Sequence, residues 1–486
     1  MIRDIADAFS ELVVPEPSAP VSTIAVYYPA VGRGGGDIVA RELLRIYLAM
    51  GLDVVLITET DPHAGELDLP KDIVRRKIQS HSETNADNYQ THASQLAHIF
   101  REHDVQAVVF AHWFAPTLGF DIALARAMGL MTFVYVQSSF TMFFLEAALR
   151  RSELDAINAY RYADGILCLS EMDATYWSFF SPRVYTTPNP AAFAVPTALA
   201  PLAGHEVLWP ARLHPDKCPH RAVEVLGHVA RQIPDVTLHM VGDASPDVVA
   251  SLTAQAAELG CEANLRIDAA RAPEEMGPLY AHADAFLLTS QREGWPLALE
   301  EAMTHGVPAV VYDLPYLTLT QCDAVSSVPQ GDAAAAGAAL AHVLDDKAHA
   351  HSCGQQERRF VEPYLDFDFQ ALWRDLLSGR AEGRAFHPDR EERDRLLSPM
   401  MDEQLKAAKA RAAVTRAATE REVEAWKRHA AGLEEQVDAY VQLTNDLKSI
   451  IRQQEERHDA LEKERRELEA HQSLLHRVSR HFPSAR

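Results

Sequence analysis

Short apolar segments alternate with helical segments along most of the first 380 residues, and this alternation constrains the fold more than any other feature. Ser22–Ala30 is apolar, a helical pattern follows, and Asp53–Glu59 is apolar again. Further apolar segments lie at Ala107–His112, Met131–Gln137, Gly165–Ser170 and Arg183–Pro190. Strands that are apolar on both faces and alternate with helices are typical of a parallel, doubly wound sheet. The pattern therefore predicts an α/β domain over residues 21–195, preceded by an arm at 1–20.

A second series of the same kind follows a short segment that contains Pro196 and Pro201. Pro- and Gly-containing segments of small residues are typical of linkers, so we assign 196–204 to an interdomain linker. Apolar strands then recur between Glu206 and Tyr312. We predict a second Rossmann-like domain over 205–362 and a closing helix within 363–386. Two such domains would face each other across a cleft.

The bulk composition narrows the class of protein. A chain of 486 residues exceeds what one core accommodates, and its five cysteines are scattered without paired spacing, which favours a reducing compartment. The net charge of −23 disfavours nucleic-acid partners. No run of about 18 apolar residues is present and the N-terminus does not resemble a signal peptide, which predicts a cytoplasmic protein without a transmembrane segment, with peripheral membrane contact left open.

The last hundred residues, 387–486, have a different character. Apolar residues recur there every seven positions, at Trp426, Leu433, Tyr440, Leu447, Leu461, Leu468, Leu475 and Phe482, with Gln454 interrupting the series. A sustained heptad pattern predicts a helical coiled-coil tail and a homo-oligomer formed through residues 400–482. A single helix packed on the body is the alternative.

The segment Glu293–Pro308 joins two apolar strands through a loop and a helix. Pro296 suits a helix start, and Gly306 followed by Pro308 suits a helix end. Glu293 and Glu301 thus lie at the loop and in the first helical turns, at the carboxyl edge where α/β sheets bind ligands. This arrangement predicts a ligand rich in hydroxyl groups. A helix N-terminus that favours acidic residues for electrostatic reasons is the simpler interpretation of either glutamate alone.

Three further features are expected at the same cleft. The glycine-rich first turn, with Gly34, Gly35 and Gly36, is suited to close approach of a phosphate. It matches a dinucleotide fingerprint only in part, even with Glu59 at the end of the second strand. His112 lies at a strand end. Arg212 and Lys217 follow another strand, and two cations on one loop suit a diphosphate, although solvated surface charge is the alternative.

Taken together, these motifs resemble those of retaining glycosyltransferases with the GT-B fold, specifically glycosyltransferase family four, the group that includes glycogen synthase and sucrose-phosphate synthase. EGWPLALEEAMTHGVP resembles the family's E-x-F-G-x-x-x-x-E-A-M-A-x-G-x-P-V signature, and PARLHPDK its G-R-L-x-x-x-K-G segment. VTLHMVGDA, ADGILCLSE and the first glycine-rich loop resemble three further family segments. The similarity spans about residues 22–380.

The resemblance implies a hexosyltransferase-type enzyme whose donor is a UDP- or GDP-linked sugar and which requires no metal or other cofactor. Arg212 and Lys217 would hold the diphosphate, Glu301 the ribose and Glu293 the transferred sugar. His112 would contact that sugar near the reaction centre. Gly34–Gly36 and the loop residues Gly294, Trp295, Pro296 and Leu297 would complete the donor site. The acceptor would be a glycan, a cell-envelope polymer or a lipid-linked glycan bound by the first domain.

Several positions depart from the family pattern. Pro210-Ala211 and Cys218 replace the glycines that flank the Arg–Lys segment, and Pro296 replaces another glycine. The alternative function is therefore a catalytically decayed GT-B scaffold that works through its coiled coil. A sugar-nucleotide epimerase of the same architecture is a further alternative.

Overall fold

A computed structural model describes residues 20–381, except 64, 86, 112–114, 116, 141–158, 179–180, 182 and 315, together with 442, 448, 452, 457 and 462–469. The chain divides into two compact units, Met1–Lys409 and Ala410–Arg486. The first unit contains both parallel sheets, and its described part carries all the residues discussed as a site below.

The first sheet has seven strands in the order β3-β2-β1-β4-β5-β6-β7, and neighbouring strands are parallel. The strands are β1 Thr23–Tyr27, β2 Asp53–Thr58, β3 Val74–Lys77, β4 Ala107–Phe110, β5 Met131–Tyr135, β6 Gly165–Cys168 and β7 Val184–Thr186. The order reverses between β1 and β4, which creates a crevice at their carboxyl ends. β1, β2, β4 and β5 are buried almost throughout, as their apolar sequences predict.

The second sheet repeats this design with six strands in the order β10-β9-β8-β11-β12-β13. Its strands are β8 Glu206–Pro210, β9 Thr237–Val241, β10 Leu265–Asp268, β11 Ala285–Leu288, β12 Ala309–Tyr312 and β13 Ser326–Val328. All five pairings are parallel. The predicted pair of Rossmann-like α/β domains is thereby confirmed.

Helices flank both sheets. The α-helices in the described part of residues 20–381 are α1 Gly35–Ala49, α2 Tyr89–Glu102, α3 Leu118–Ala127, α4 Glu171–Trp177, α5 Pro219–Ala230, α6 Pro246–Glu258, α7 Pro273–His282, α8 Leu297–His305, α9 Ala333–Asp345, α10 Lys347–Leu365 and α11 Phe369–Leu377. α8 ends at Gly306 in the left-handed conformation, as predicted, but it begins at Leu297 with Pro296 as its N-cap.

Two details differ from the sequence-based expectation. The glycine-rich segment was expected to be a loop through Asp37, yet Gly35 and Gly36 already form the first turn of α1. The two edge strands β3 and β13 were not anticipated, because they are short and β3 has the half-exposed sequence VRRK.

The closing helix α11 packs against the first domain, although it follows the second one in the chain. Its Trp373 is fully buried and lies edge-on against Tyr47 of α1 and Phe133 of β5, with ring centroids 5.0 and 5.5 Å apart. Asp368 accepts a hydrogen bond from the Ala371 N–H at 2.8 Å and so caps this helix. The helix therefore ties the end of the second domain to the first.

The predicted coiled coil falls mainly on residues outside those described. Residues 462–469 are helical, with Glu462–Arg466 and Arg465–Glu469 ion pairs, and the heptad residue Leu468 is 58% exposed in the single chain. Within the described ranges, no helix combines the length and apolarity needed to cross a bilayer.

Candidate active site

Lys217 and Glu293 form an ion pair at the carboxyl edge of the second sheet. The Lys217 ammonium donates to a Glu293 carboxylate oxygen at 2.6 Å, with the side chains 24% and 10% exposed. These residues lie 76 positions apart in the chain, on the loops that follow β8 and β11. The structure thus brings a predicted phosphate-binding cation and a predicted sugar-binding carboxylate into direct contact.

Polar residues from β11 and its following loop hold the Lys217 segment in place. The Thr289 hydroxyl donates to the Lys217 carbonyl at 2.8 Å and accepts from the Trp209 indole at 2.9 Å. The Gln291 N–H donates to the Asp216 carbonyl at 3.0 Å, and Arg292 forms an ion pair with the Asp216 carboxylate at 3.2 Å. The two loops are therefore joined into one preorganised surface.

Thr289, Trp209 and Asp216 were not among the predicted site residues. Of these three, Thr289 alone carries a signal in the sequence, as a polar side chain directly after the apolar strand β11. A second contact of this type is the Glu293 N–H, which donates to the Tyr316 hydroxyl at 3.2 Å and fixes the backbone of that residue.

Gly294 brings the two domains into backbone contact. A Cβ atom at this position would lie 2.5 Å from the Gln137 carbonyl oxygen in the first domain and 3.1 Å from the Leu169 side chain. Nearby, a Cβ on Gly35 would lie 3.6 Å from the Leu297 side chain at the start of α8. The predicted site residues Gly35, Gly294 and Leu297 therefore all border the same interdomain cleft.

The glycine-rich turn is held by its own carboxylate. Asp37 accepts hydrogen bonds from the N–H groups of Gly32 at 2.7 Å and Gly34 at 2.6 Å. The predicted phosphate cradle is thus partly satisfied by Asp37, and the remaining amides of the first turn of α1 are those of Gly35 and Gly36. A helix N-terminus of this kind favours an anion.

Arg212 is exposed and faces this turn from the second domain. Burial and the Asp37 carboxylate raise the pKa of the Tyr28 phenol, and the Arg212 charge opposes the shift. Tyr28 in turn lies close to Gly36, where a Cβ atom would meet its hydroxyl at 3.0 Å. Tyr28 and Asp37 are site residues that motif comparison did not identify.

Glu301, which was predicted to bind the ribose of the donor, is a buried residue. The residue is 8% exposed, and burial raises its pKa to about 7, against the opposing effect of the Tyr280 hydroxyl. The adjacent Glu300 is fully buried, and burial raises its pKa to about 8. Burial thus shifts both carboxyl groups toward the protonated form near neutral pH.

Trp295 turns its side chain away from solvent. Its indole N–H donates to Glu300 at 3.1 Å, and the residue is 6% exposed. An indole N–H that is buried needs an acceptor, and Glu300 supplies it. The Trp295 indole N–H is therefore already paired within the protein, and the role of Trp295 in donor binding stays a prediction. Pro296 is also buried.

A cavity of about 430 Å³ lies beside Trp295. Trp295 is the only predicted site residue that lines it, together with Leu169, Glu171, Thr187, Pro188, Tyr364 and six further residues. The cavity therefore extends from the cleft toward α10 and the end of β7 rather than toward Lys217. His112, predicted to contact the sugar, lies outside the described residues.

A model of a known protein family matches one segment of the chain. Residues 201–360, which contain Arg212, Lys217, Glu293 and Glu301, match the family described as Glycosyl transferases group 1. The matched segment corresponds closely to the second domain. The structure with both domains is also similar to solved glycosyltransferase structures, which confirms the predicted GT-B architecture.

Three such structures illustrate the likeness. Sucrose-phosphate synthase from Thermosynechococcus elongatus has a TM-score of 0.61 and 18% identity, covering 74% of this chain and 98% of that one. TarM of S. aureus, solved with fondaparinux, α-GlcNAc-glycerol and UDP, has a TM-score of 0.60 and 11% identity over 73% and 99%. HepE of Anabaena, solved with UDP-glucose, has a TM-score of 0.57 and 16% identity over 74% and 98%. At these identities the likeness concerns the fold.

One curated relative is an exopolysaccharide phosphotransferase of Streptomyces coelicolor, 27% identical over 215 residues. The match covers 42% of this chain but 22% of that protein. The chain therefore spans only a small part of the length of this relative.

Proposed function

We propose that this protein is a retaining glycosyltransferase of family four that moves a hexose from a UDP- or GDP-linked sugar to a hydroxyl acceptor. The observation that carries the proposal is the Lys217–Glu293 pair at 2.6 Å, within the segment that matches group 1 glycosyl transferases and beside exposed Arg212. The UDP and UDP-glucose found in TarM and HepE support a nucleotide-sugar donor.

In this proposal, Lys217 releases Glu293 when the donor enters. Its ammonium then pairs with the diphosphate, and Arg212 binds the same group as a fork from the exposed side of the loop. Glu293 becomes free to accept hydrogen bonds from hydroxyl groups of the transferred sugar. The ion pair thus holds both side chains in position before the donor binds.

Departure of the nucleoside diphosphate builds negative charge on its terminal phosphate. Fixed cations and the amides of Gly35 and Gly36 stabilise that charge without a metal ion. The bond from the anomeric carbon to the diphosphate oxygen breaks, and the acceptor hydroxyl oxygen bonds to that carbon from the same face, so the anomeric configuration is retained. The departing phosphate takes the proton of that hydroxyl, so no side-chain nucleophile is needed. His112 would contact the sugar, and Glu301 would accept a hydrogen bond from the ribose.

The acceptor would be a glycan, a cell-envelope polymer or a lipid-linked glycan, bound mainly by the first domain. The exopolysaccharide named for the Streptomyces relative and the α-GlcNAc-glycerol in TarM are in keeping with such acceptors. We further propose a cytoplasmic location, peripheral contact with the membrane, and homo-oligomers formed through residues 400–482.

Thermal unfolding of the full chain with UDP, GDP, ADP and their sugars tests the donor. A ligand at 100 times its Kd stabilises the folded state by about 2.7 kcal/mol, and the preferred base and sugar give the largest shift. NMR of the anomeric proton of the product then tests retention. If no nucleotide or nucleotide sugar stabilises the protein or is turned over, the enzyme proposal fails and a decayed scaffold becomes the better description.

A further inference from the structure

The carboxyl edge of the first sheet carries a connected polar and aromatic cluster that the donor site does not use. It consists of Tyr27, Glu59, Ser80, His81, Tyr89, His92, Phe120 and Asp121. Tyr27 ends β1, Glu59 follows β2, and Ser80 and His81 follow β3, while Tyr89 and Phe120 lie in the first turns of α2 and α3. In a sheet of parallel strands, all of these positions lie at the edge where ligands bind.

Glu59 is the centre of one half of this cluster. Its carboxylate accepts hydrogen bonds from the Tyr27 hydroxyl at 2.7 Å, the Ser80 hydroxyl at 2.8 Å and His81 Nδ1 at 2.6 Å. Burial opposes ionisation, but the hydrogen bonds from His81, Tyr27 and Ser80 outweigh it and lower the pKa of Glu59 to about 2. Glu59 is thus a fixed anion that orients the His81 ring.

His81 is the solvent-facing member of that pair. Its side chain is 27% exposed, whereas that of Glu59 is 5% exposed. Because Nδ1 is occupied by Glu59, the other ring nitrogen is the one left for a ligand hydroxyl. This carboxylate–histidine arrangement orients a ring nitrogen toward a ligand in the way that enzymes orient a hydrogen-bonding imidazole.

Tyr89 and Phe120 form the aromatic half of the cluster. Their ring centroids are 5.2 Å apart, and Phe120 is 56% exposed, one of few large apolar side chains with such exposure in the described part of the chain. The Tyr89 hydroxyl donates to Asp121 at 3.2 Å. An exposed aromatic side chain that is held by a half-buried aromatic partner at the ligand edge of a sheet is a contact surface for a ligand.

Buried groups connect the two halves. His92 is fully buried, contacts Asp121 at 3.1 Å through Nε2, and lies 5.9 Å from the Tyr89 ring and 6.3 Å from the Tyr27 ring. Tyr27 then donates to Glu59. The second oxygen of Asp121 is buried without a hydrogen-bond partner among the described residues. The cluster is therefore one connected unit with His81 and Phe120 at its surface.

We propose that this unit is a subsite for a neutral glycosyl ring of the acceptor, with the ring stacked on Phe120 and Tyr89 and a hydroxyl bonded to His81. The inference rests on the proposed function and specifies its acceptor. Sugar rings combine an apolar face with hydroxyl groups, which matches an aromatic surface next to an imidazole. The charged carboxylates of the cluster, Glu59 and Asp121, would repel a phosphate at the same place.

Saturation-transfer NMR on the full chain tests the subsite with methyl α-glycosides of glucose, galactose, mannose and N-acetylglucosamine, and with glycerol phosphate for comparison. We expect at least one glycoside to bind at millimolar concentration and glycerol phosphate not to compete. Phe120→Ala and His81→Ala should each weaken that binding by about five- to tenfold, whereas Phe120→Tyr should stay within about twofold of wild type.

His98→Ala is the matched control, because His98 is on α2 with a side chain that is 76% exposed and lies outside the cluster. It should bind glycosides like wild type. Stabilisation by UDP or GDP, measured in parallel, should be unchanged in every variant. The subsite is overturned if no glycoside binds, if Phe120→Ala binds as well as wild type, or if glycerol phosphate competes equally. If neither UDP nor GDP stabilises the wild-type protein, the proposed function is refuted instead.

Discussion

The two edges that face the cleft are built from different chemistry. The edge of the second sheet presents the exposed Arg212 and the Lys217–Glu293 ion pair, whose side chains are 24% and 10% exposed. The edge of the first sheet buries its charges, since Glu59 and Asp121 are 5% and 0% exposed and bonded to neighbouring side chains. Accessible cations suit an anionic donor, and a satisfied network with an aromatic surface suits a neutral acceptor.

The strongest test of this difference is removal of the Lys217 ammonium group, which would pair with the diphosphate of the donor. Lys217→Ala should lower kcat/KM by about 10²–10³-fold, the loss typical of removing one group that stabilises a departing oxyanion. Steady-state transfer or donor hydrolysis measures it. Lys71→Ala, which removes an exposed lysine of the first domain, should leave the rate unchanged. A loss below about threefold for Lys217→Ala would mean that the ion pair is structural.

The contributions of the two edges to the free energy of unfolding should also depend on pH with opposite signs. Folding raises the pKa of Glu301 from 4.5 to about 7. Between pH 4.5 and pH 7 the folded protein therefore binds more protons than the unfolded chain, and the free energy of unfolding falls as pH rises through that window. Glu301→Gln, which cannot ionise, should therefore be more stable than wild type by about 2–3 kcal/mol at pH 8, and similar to it at pH 4.

Glu59→Gln is the matched variant at the other edge. The folded state lowers the pKa of Glu59 from 4.5 to about 2, so its stabilising effect is present above pH 4.5 and is lost as pH falls toward 2. This variant should be destabilised at pH 7 and approach wild type near pH 2. Urea unfolding across pH measures both. Equal signs for the two variants would contradict the contrast between the edges.

The sequence predicted the charged edge far better than the buried one. Lys217 and Glu293 belong to motifs with fixed spacing, and the apolar alternation placed them at strand ends. The network of Glu59, His81, His92 and Asp121 has no such motif, because its members come from four elements separated by up to 62 residues. Their proximity depends on the strand order β3-β2-β1-β4, which local patterns do not encode. The hydrogen bond from the Trp295 indole to Glu300 was likewise not predicted, because no local motif indicates it.

Contact between the edges can be tested at Gly294. A methyl group there would meet the Gln137 carbonyl at 2.5 Å, so Gly294→Ala must separate the backbones. We expect a loss of about 1–3 kcal/mol in the free energy of unfolding, typical of overpacking. Gly35→Ala, whose Cβ would lie 3.6 Å from Leu297, should cost less than about 0.5 kcal/mol. Similar losses in the two variants would show that the domains do not meet at Gly294.

The smallest expected effect concerns Cys218, next to Lys217. Cys218 has φ 51° and ψ 54°, a left-handed conformation that costs a non-glycine residue about 1–2 kcal/mol. A glycine after the lysine, as in the G-R-L-x-x-x-K-G segment that PARLHPDK resembles, would avoid this strain. Because glycine also gains freedom in the unfolded chain, Cys218→Gly should stabilise the protein by only about 0.5–1 kcal/mol. Cys218→Ala keeps the strain and removes the thiol, so it should give no gain in urea unfolding. If both variants gain equally, the thiol and not the backbone is the source of strain, and the loop that holds Lys217 is less rigid than the charged edge requires.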